Sequence, residues 1–360
     1  MRIGFDAKRA FNNNTGLGNY SRFVIEALLQ HAPDNDYFLY SPKVSERNKF
    51  YQSVKAKSEI KNPKTKNPLW RSWLINNDLQ KDKIDIFHGL SNEIPFGIGK
   101  TNVKSIVTIH DLIFLRYPKL YPAIDRWIYN QKFKYACQNA DVVIAVSQQT
   151  KRDIIDFYRI KEDKVRVVYQ GITTPPIPLQ SSSKNEINKY ILCVATIAER
   201  KNQLTLVKAF EALNLPDYEL VLVGGKTSYQ TQIEEYIAQR KLQNIRILNN
   251  VSFEELPNLY ANADLFVYPS IFEGFGIPII EAFQYNLPVV AATGSCLEEA
   301  GGSGAIYANP LDYQDLAEKM SQVLNNLDLC NQLIINGKEH LKQFSKEKIA
   351  NDLNMIYKAM

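Results

Sequence analysis

Short apolar runs recur along the chain, separated by longer stretches with helical spacing. Residues 2–6, Arg-Ile-Gly-Phe-Asp, predict a first strand. A Gly/Asn-rich loop follows, and an amphipathic helix is expected from about Asn19 to Gln30. Residues 37–40, 84–88, 104–110 and 141–147 predict further strands, each short, β-branched or aromatic, and closed by a polar residue. The pattern restarts later, with strands expected over 190–196, 219–223, 245–248, 265–268, 288–292 and 305–307. Helices are expected over 203–213 and 229–241 and from about Asp312 onward. Near-continuous apolar strands alternating with helices predict parallel sheets covered on both faces.

Between the two series lies 173–189, with three prolines and three serines, which cannot continue a sheet or helix. The expected division is therefore a first Rossmann-like domain over 1–172, a linker over 173–189, and a second Rossmann-like domain over 190–343, with a terminal helix over 344–360. Residues 43–71 carry nine Lys+Arg and two Glu with weak periodicity, which predicts a mobile basic region.

A length of 360 residues suits two domains, and 45% apolar with 22% charged residues is globular. No apolar run approaches the roughly 20 residues of a membrane span. The N-terminus lacks a signal peptide's apolar region and cleavage site, so a cytoplasmic location is expected. Cys137, Cys193, Cys296 and Cys330 have no metal or disulfide spacing and are expected to be reduced. Charge is uneven. Residues 1–175 hold 28 Lys+Arg against 17 Asp+Glu, a net +11, and the remainder holds 15 against 21, a net −6. A basic half admits two readings: an anionic partner, or a solvated surface. A nucleic-acid partner is not expected, because no recognisable motif interleaves aromatics with the basic residues.

The densest chemistry lies in Glu273-Gly274-Phe275-Gly276-Ile277-Pro278-Ile279-Ile280-Glu281, directly after an apolar strand. Pro278 fits a helix start. Gly274 and Gly276 permit close backbone approach. Amides and a helix N-terminus converge where phosphate or sugar oxygens bind, and Glu273 and Glu281 offer acceptors for vicinal hydroxyls. A tight strand–helix turn with a dipole-complementing Glu explains the same residues without a ligand.

This segment is similar to the signature of retaining glycosyltransferases of family 4, which have the GT-B fold. Five further segments agree in order: Thr15-Gly16-Leu17-Gly18-Asn19-Tyr20, His110-Asp111, Ala195 through Asn202 with Arg200-Lys201-Asn202, Val223-Gly224-Gly225, and Tyr260-Ala261-Asn262-Ala263-Asp264. The resemblance implies an α/β architecture of two Rossmann-like domains facing a cleft, with the terminal helix crossing back to the first. It implies that Arg200 and Lys201 sit over the donor's pyrophosphate, that Glu281 binds ribose hydroxyls, and that Glu273 binds the transferred sugar. Gly274, Phe275 and Gly276 would hold sugar hydroxyls through their backbone, and Gly16, Gly18 and Gly224 would line the donor. His110 would act near the reacting sugar, in a positioning or electrostatic role. His88 and Ser147 end analogous strands and are candidates for the acceptor side, with structural roles equally open.

The implied reaction moves a hexose from a nucleoside diphosphate sugar to a hydroxyl, with retention. GDP-mannose comes first, and UDP-linked glucose, galactose or N-acetylglucosamine is the alternative. A glycan or polyprenyl-diphosphate-linked acceptor would place the enzyme in cell-surface polysaccharide synthesis; the positive excess of the first half, by itself, adds an expectation of peripheral association with an anionic membrane. No cofactor is expected. No metal is expected either, because Asp34-Asn35-Asp36 reads as a turn and the two cations would take the metal's place. The alternatives are a GT-B sugar-nucleotide epimerase and an inactive sugar-nucleotide binding protein.

Overall fold

The computed structural model describes residues 1–63, 65, 67, 69–172 and 189–360. The expected linker therefore lies outside the described residues, apart from Lys189, which opens a strand. The chain divides into two units: Met1–Thr173 with Gln343–Met360, and Thr174–Lys342.

In the first unit seven strands form one parallel sheet: β1 (Arg2–Asp6), β2 (Asp36–Tyr40), β3 (Glu59–Lys61), β4 (Ile86–Gly89), β5 (Lys104–Ile109), β6 (Val142–Ala145) and β7 (Val165–Val167). Their spatial order is β3-β2-β1-β4-β5-β6-β7. Strand periodicity sends alternate side chains to opposite faces. Tyr37 and Leu39 of β2 enter one core with Ile3 and Phe5, while Phe38 and Tyr40 enter the other with Phe87 and Val107. Both faces are buried, which explains the near-continuous apolar strands.

The terminal helix Lys346–Lys358 belongs to this unit. It buries Ile349, Ala350, Leu353 and Tyr357 against the core built around helix Gly16–His31. Asn35 Nδ2 donates to Asn354 Oδ1 at 3.1 Å, and Lys346 Nζ lies 3.2 Å from Glu26 Oε2.

The second unit has six parallel strands: β8 (Lys189–Val194), β9 (Tyr218–Val223), β10 (Ile245–Leu248), β11 (Leu265–Tyr268), β12 (Val289–Ala292) and β13 (Ala305–Ala308). Their order is β10-β9-β8-β11-β12-β13. Ile191, Cys193, Leu220, Leu222, Leu265 and Val267 share a core with the helices Gln203–Leu213 and Tyr313–Leu324. Each sheet reverses its winding once, between β1 and β4 in the first and between β8 and β11 in the second. The strands' carboxyl ends diverge there, and open α/β sheets bind ligands at that point.

Three expectations need correction. The basic stretch 43–71 is structured over most of its described part, with helix Lys49–Val54, edge strand β3 and the helical turn Trp70–Leu74. Phe50 and Val54 anchor it by burial in the core. The Gly/Asn-rich loop contains a short helix, Lys8–Asn12, whose Ala10 and Phe11 are buried. The following helix starts at Gly16 rather than near Asn19, so both glycines lie in its first turn.

Leu353→Ala removes a fully buried side chain from the terminal helix, at an expected cost of about 2–5 kcal/mol. Urea unfolding should show a lower midpoint for this variant. An unchanged midpoint would mean that the chain's end contributes nothing to the first core.

Candidate functional site

The loops leaving β8 and β11 are stitched together at the second sheet's switch point. After β8 a single turn, Glu199–Lys201, leads to Asn202 in the left-handed conformation, φ 62°. Asn202 Nδ2 donates to the carbonyls of Pro269 at 3.1 Å and Pro310 at 2.7 Å. The Ile271 amide donates to the Arg200 carbonyl at 2.9 Å. Gly224 draws β9 close: its amide donates to the Leu248 carbonyl, and a Cβ there would stand 1.8 Å from the Ala195 carbonyl oxygen.

This stitching brings Arg200 and Lys201 onto Glu273. Arg200 Nη1 lies 2.8 Å from Glu273 Oε2, and Lys201 Nζ pairs with Oε1. Lys201 also donates to the Tyr268 hydroxyl at 2.8 Å, and Tyr268 donates to Glu273 at 3.2 Å. The Ser270 hydroxyl donates to the same carboxylate, and Arg200 donates to the Phe272 carbonyl. The side chains of Arg200, Lys201 and Glu273 are 21%, 15% and 11% exposed, so the cations turn inward rather than into bulk water. Burial pushes the Glu273 carboxyl up, but Lys201 and Arg200 outweigh it and hold it at about 2. The group therefore carries two positive charges and one negative at neutral pH. Cys296, fully buried, donates its thiol to the carbonyls of Glu273 at 3.0 Å and Phe275 at 2.7 Å, fixing the glycine turn from beneath.

Gly274, Phe275 and Gly276 complete the turn, and Gly276 caps helix Ile277–Gln284. Pro278 is the helix's second residue, one place later than expected. Glu281 is its fifth and lies beyond the first turn, so it is not a dipole-complementing residue. It is partly buried and accepts from the Tyr260 hydroxyl at 2.9 Å. Burial raises its pKa, with the Tyr260 hydrogen bond opposing. The rings of Tyr260, Phe266 and Tyr268 follow one another at 5.5 and 6.1 Å between centroids, linking Glu281 to the Glu273 group through packed aromatics.

The remaining expected residues lie in the first unit. His110 follows β5 and is buried. Its Nε2 donates to the Leu90 carbonyl at 2.9 Å, which makes Nδ1 the acceptor for Gln170 Nε2 at 2.8 Å. The Tyr20 ring stands edge-on to it at 4.6 Å and 90°. Burial lowers its pKa to about 4, and the Leu90 bond only partly opposes this. His110 is thus a neutral imidazole with a fixed tautomer, suited to positioning.

Gly18 acts through its missing side chain: a Cβ would stand 1.9 Å from the Asn13 carbonyl oxygen, and its amide is taken by the Thr15 carbonyl. Gly16, with open space around it, begins the helix.

His88 and Ser147, the two candidates for the acceptor side, are both fully buried and hydrogen-bonded within their own unit. His88 bridges the Tyr357 hydroxyl at 2.8 Å and Thr108 Oγ1 at 2.9 Å, tying β4 to the terminal helix. Burial lowers its pKa to about 3. Ser147 caps helix Gln148–Tyr158 by accepting from the Thr150 amide at 3.0 Å.

Sequence reasoning missed Tyr268, Ser270 and Gln170, and also a cluster at the first switch point. There Asp6, at the end of β1, pairs with Arg71 from the turn Trp70–Leu74. Arg71 also reaches Glu93 Oε2 at 3.1 Å, and Lys132 reaches the same oxygen at 3.4 Å. These four line a small cavity whose other walls are mostly apolar or aromatic, among them Phe87, Ile94, Phe96 and Tyr135. Asp6 at a strand's carboxyl end was the available signal. Its partners lie far along the chain, and no motif joins them.

Comparison with known proteins agrees with this architecture. O-antigen chain mannosyltransferase RfbU of Salmonella typhimurium is 31% identical over 207 residues, which is 57% of this chain and 57% of that protein. O-antigen chain mannosyltransferase B of Escherichia coli is 28% identical over 289 residues, covering 76% of this chain and 74% of the other. The solved structure of Anabaena Alr3699/HepE in complex with UDP-glucose superposes over 100% of both chains with a TM-score of 0.73 and 17% identity, a likeness of fold. Residues 15–174 match the family model Glycosyltransferase Family 4, and residues 179–340 match Glycosyl transferases group 1. Between them these matches account for both halves of the chain, which belongs to glycosyltransferase family 4 with the GT-B fold.

Proposed function

We propose that this hexosyltransferase moves mannose from GDP-mannose to a hydroxyl of a glycan or lipid-linked glycan in cell-surface polysaccharide synthesis, with retention and without a metal ion. The observation that carries the proposal is the buried Glu273 carboxylate holding both Arg200 and Lys201 at the carboxyl ends of β8 and β11. Two cations against one carboxylate leave a net positive charge at the switch point between β8 and β11, which suits a diphosphate. The O-antigen mannosyltransferases among its relatives support the choice of sugar and pathway class.

As donor binds, the cations exchange Glu273 for phosphate oxygens, and the freed carboxylate accepts from hydroxyls of the transferred sugar. Glu281 accepts from the ribose. The anomeric carbon–phosphate oxygen bond breaks while the acceptor oxygen bonds to the same carbon on the same face. The acceptor's proton passes to the departing phosphate. Charge accumulating on that phosphate is stabilised by Arg200 and Lys201, already fixed in place. His110, neutral and held by Leu90 and Gln170, contributes position rather than proton transfer.

A ligand that binds only the native state raises the melting temperature, so GDP-mannose should give the largest shift in a panel of GDP- and UDP-sugars. A larger shift with a UDP-sugar would reassign the donor. Lys201→Ala and Glu281→Ala should each weaken nucleotide affinity by about 10–100-fold by calorimetry, the worth of a hydrogen bond to a charged group. Unchanged affinity in both variants would remove the proposed site.

His88 and His110 titrate at about 3 and about 4 when folded, below the roughly 6.5 of an unfolded histidine. Between these values the unfolded chain binds more protons, so their contribution to stability is complete above about 6.5 and is lost as pH falls. Melting temperature should decline from pH ~7.5 to ~5.5, with a shallower slope in His110→Gln. Identical slopes would show that His110 is not held neutral.

A further inference from the structure

The partners of the Glu273 carboxylate are of two kinds. Its Oε2 meets Arg200 Nη1 at 2.8 Å and no other group among the described residues. Its Oε1 meets Lys201 and accepts from the hydroxyls of Tyr268, at 3.2 Å, and Ser270. The hydroxyls are fixed: both residues are buried, one at the end of β11 and the other just beyond it. The cations sit on the turn Glu199–Lys201 and are the groups a diphosphate would claim. Taking them away leaves Oε1 with its hydroxyl donors and Oε2 with none, in a buried place where an unpaired carboxylate oxygen is costly.

We propose that Glu273 discriminates between the sugar nucleotide and the nucleotide released from it, by competing with the free nucleotide for Arg200 and Lys201. This rests on the proposed donor site and goes beyond it to the fate of the product. A bound sugar nucleotide brings the hydroxyls of its hexose, which donate to the orphaned Oε2 and offset the lost ion pairs. A free nucleotide diphosphate brings no such donor, because an ionised terminal phosphate only accepts. Its ionised terminal phosphate also carries one negative charge more than the sugar diester, beside a carboxylate that has lost its counterions. Transfer of the hexose therefore converts a ligand that satisfies Glu273 into one that opposes it. As the nucleotide leaves, the carboxylate recovers both cations and the paired state is restored. Glu281 takes no part in this exchange: it accepts from Tyr260 and, among the described residues, pairs with no cation.

The test is calorimetric titration of the full chain with GDP and with GDP-mannose, or with UDP and UDP-glucose where the melting-temperature panel selects that base. Glu273→Gln keeps the side chain's volume and removes its charge. It is expected to bind the free nucleotide about tenfold more tightly than the parent, and its preference for the sugar nucleotide over the free nucleotide should fall by at least that factor. A damaged site would bind every ligand more weakly, so the sign separates competition from a structural role. Ser270→Ala leaves the charge and removes a donor that steadies the displaced carboxylate. It should weaken free-nucleotide binding about threefold, and it decides the matter where Glu273→Gln does not fold. Glu281→Gln removes an equal charge that meets no cation, and should not tighten binding. Free-nucleotide affinity that is unchanged or lower in Glu273→Gln, not lowered in Ser270→Ala, or raised equally in Glu281→Gln would overturn the proposal. Where nucleotide affinity still falls in Lys201→Ala, the donor site stands and only the competition fails; where it does not, both fail.

Discussion

A buried carboxylate bound to two cations is a demanding arrangement. Removing three charges from water costs several kcal/mol per ion unless each finds compensating partners. Glu273 finds them in Arg200, Lys201, Ser270 and Tyr268, and Arg200 finds a further partner in the Phe272 carbonyl. The surrounding backbone serves this group. Asn202 in its left-handed turn, Gly224 against Ala195 and Cys296 under the glycine turn all fix loops that carry one of its members. Residues separated by about seventy positions meet because β8 and β11 are adjacent in the sheet and diverge at their ends.

The first sheet repeats the topology with different chemistry. Its switch point holds alternating charges, Asp6 to Arg71 to Glu93 to Lys132, rather than a net positive group. Such a site offers both donors and acceptors to neutral hydroxyls, whereas the second sheet's site suits an anion. The difference in charge between the two switch points thus follows from which side chains end the strands.

The terminal helix is bound into the first unit by more than apolar contact. Tyr357, His88, Thr108 and Tyr20 form a buried hydrogen-bonded chain, and the Tyr20 ring meets His110. Burial keeps both histidines neutral. A neutral imidazole has one donor and one acceptor, and each ring nitrogen here has a single fitting partner. The network therefore sets orientation as well as stability.

Much of this was legible in the chain itself. Strand positions followed from apolar runs because sheets buried on both faces demand them, and the Glu273–Glu281 segment was evident from its glycines and acids. The Arg200-Lys201-Asn202 turn was legible for a similar reason, since its residue types are local and dense. Helix starts were misjudged where glycines opened a helix instead of preceding it, because the close approach of Gly18 to Asn13 is a tertiary fact. His88 and Ser147 looked like His110 in sequence, as polar residues ending strands. Packing buried all three and separated them by partner: His88 joins Tyr357 and Thr108, Ser147 caps its helix, and His110 joins Leu90 and Gln170. Arg71, Tyr268 and Gln170 carried no signal, for their partners lie in other elements. The sequence by itself determined which segments become strands, because burial on two faces is a local compositional demand. Only the tertiary structure decided which charges pair, because pairing depends on the order in which strands lie side by side.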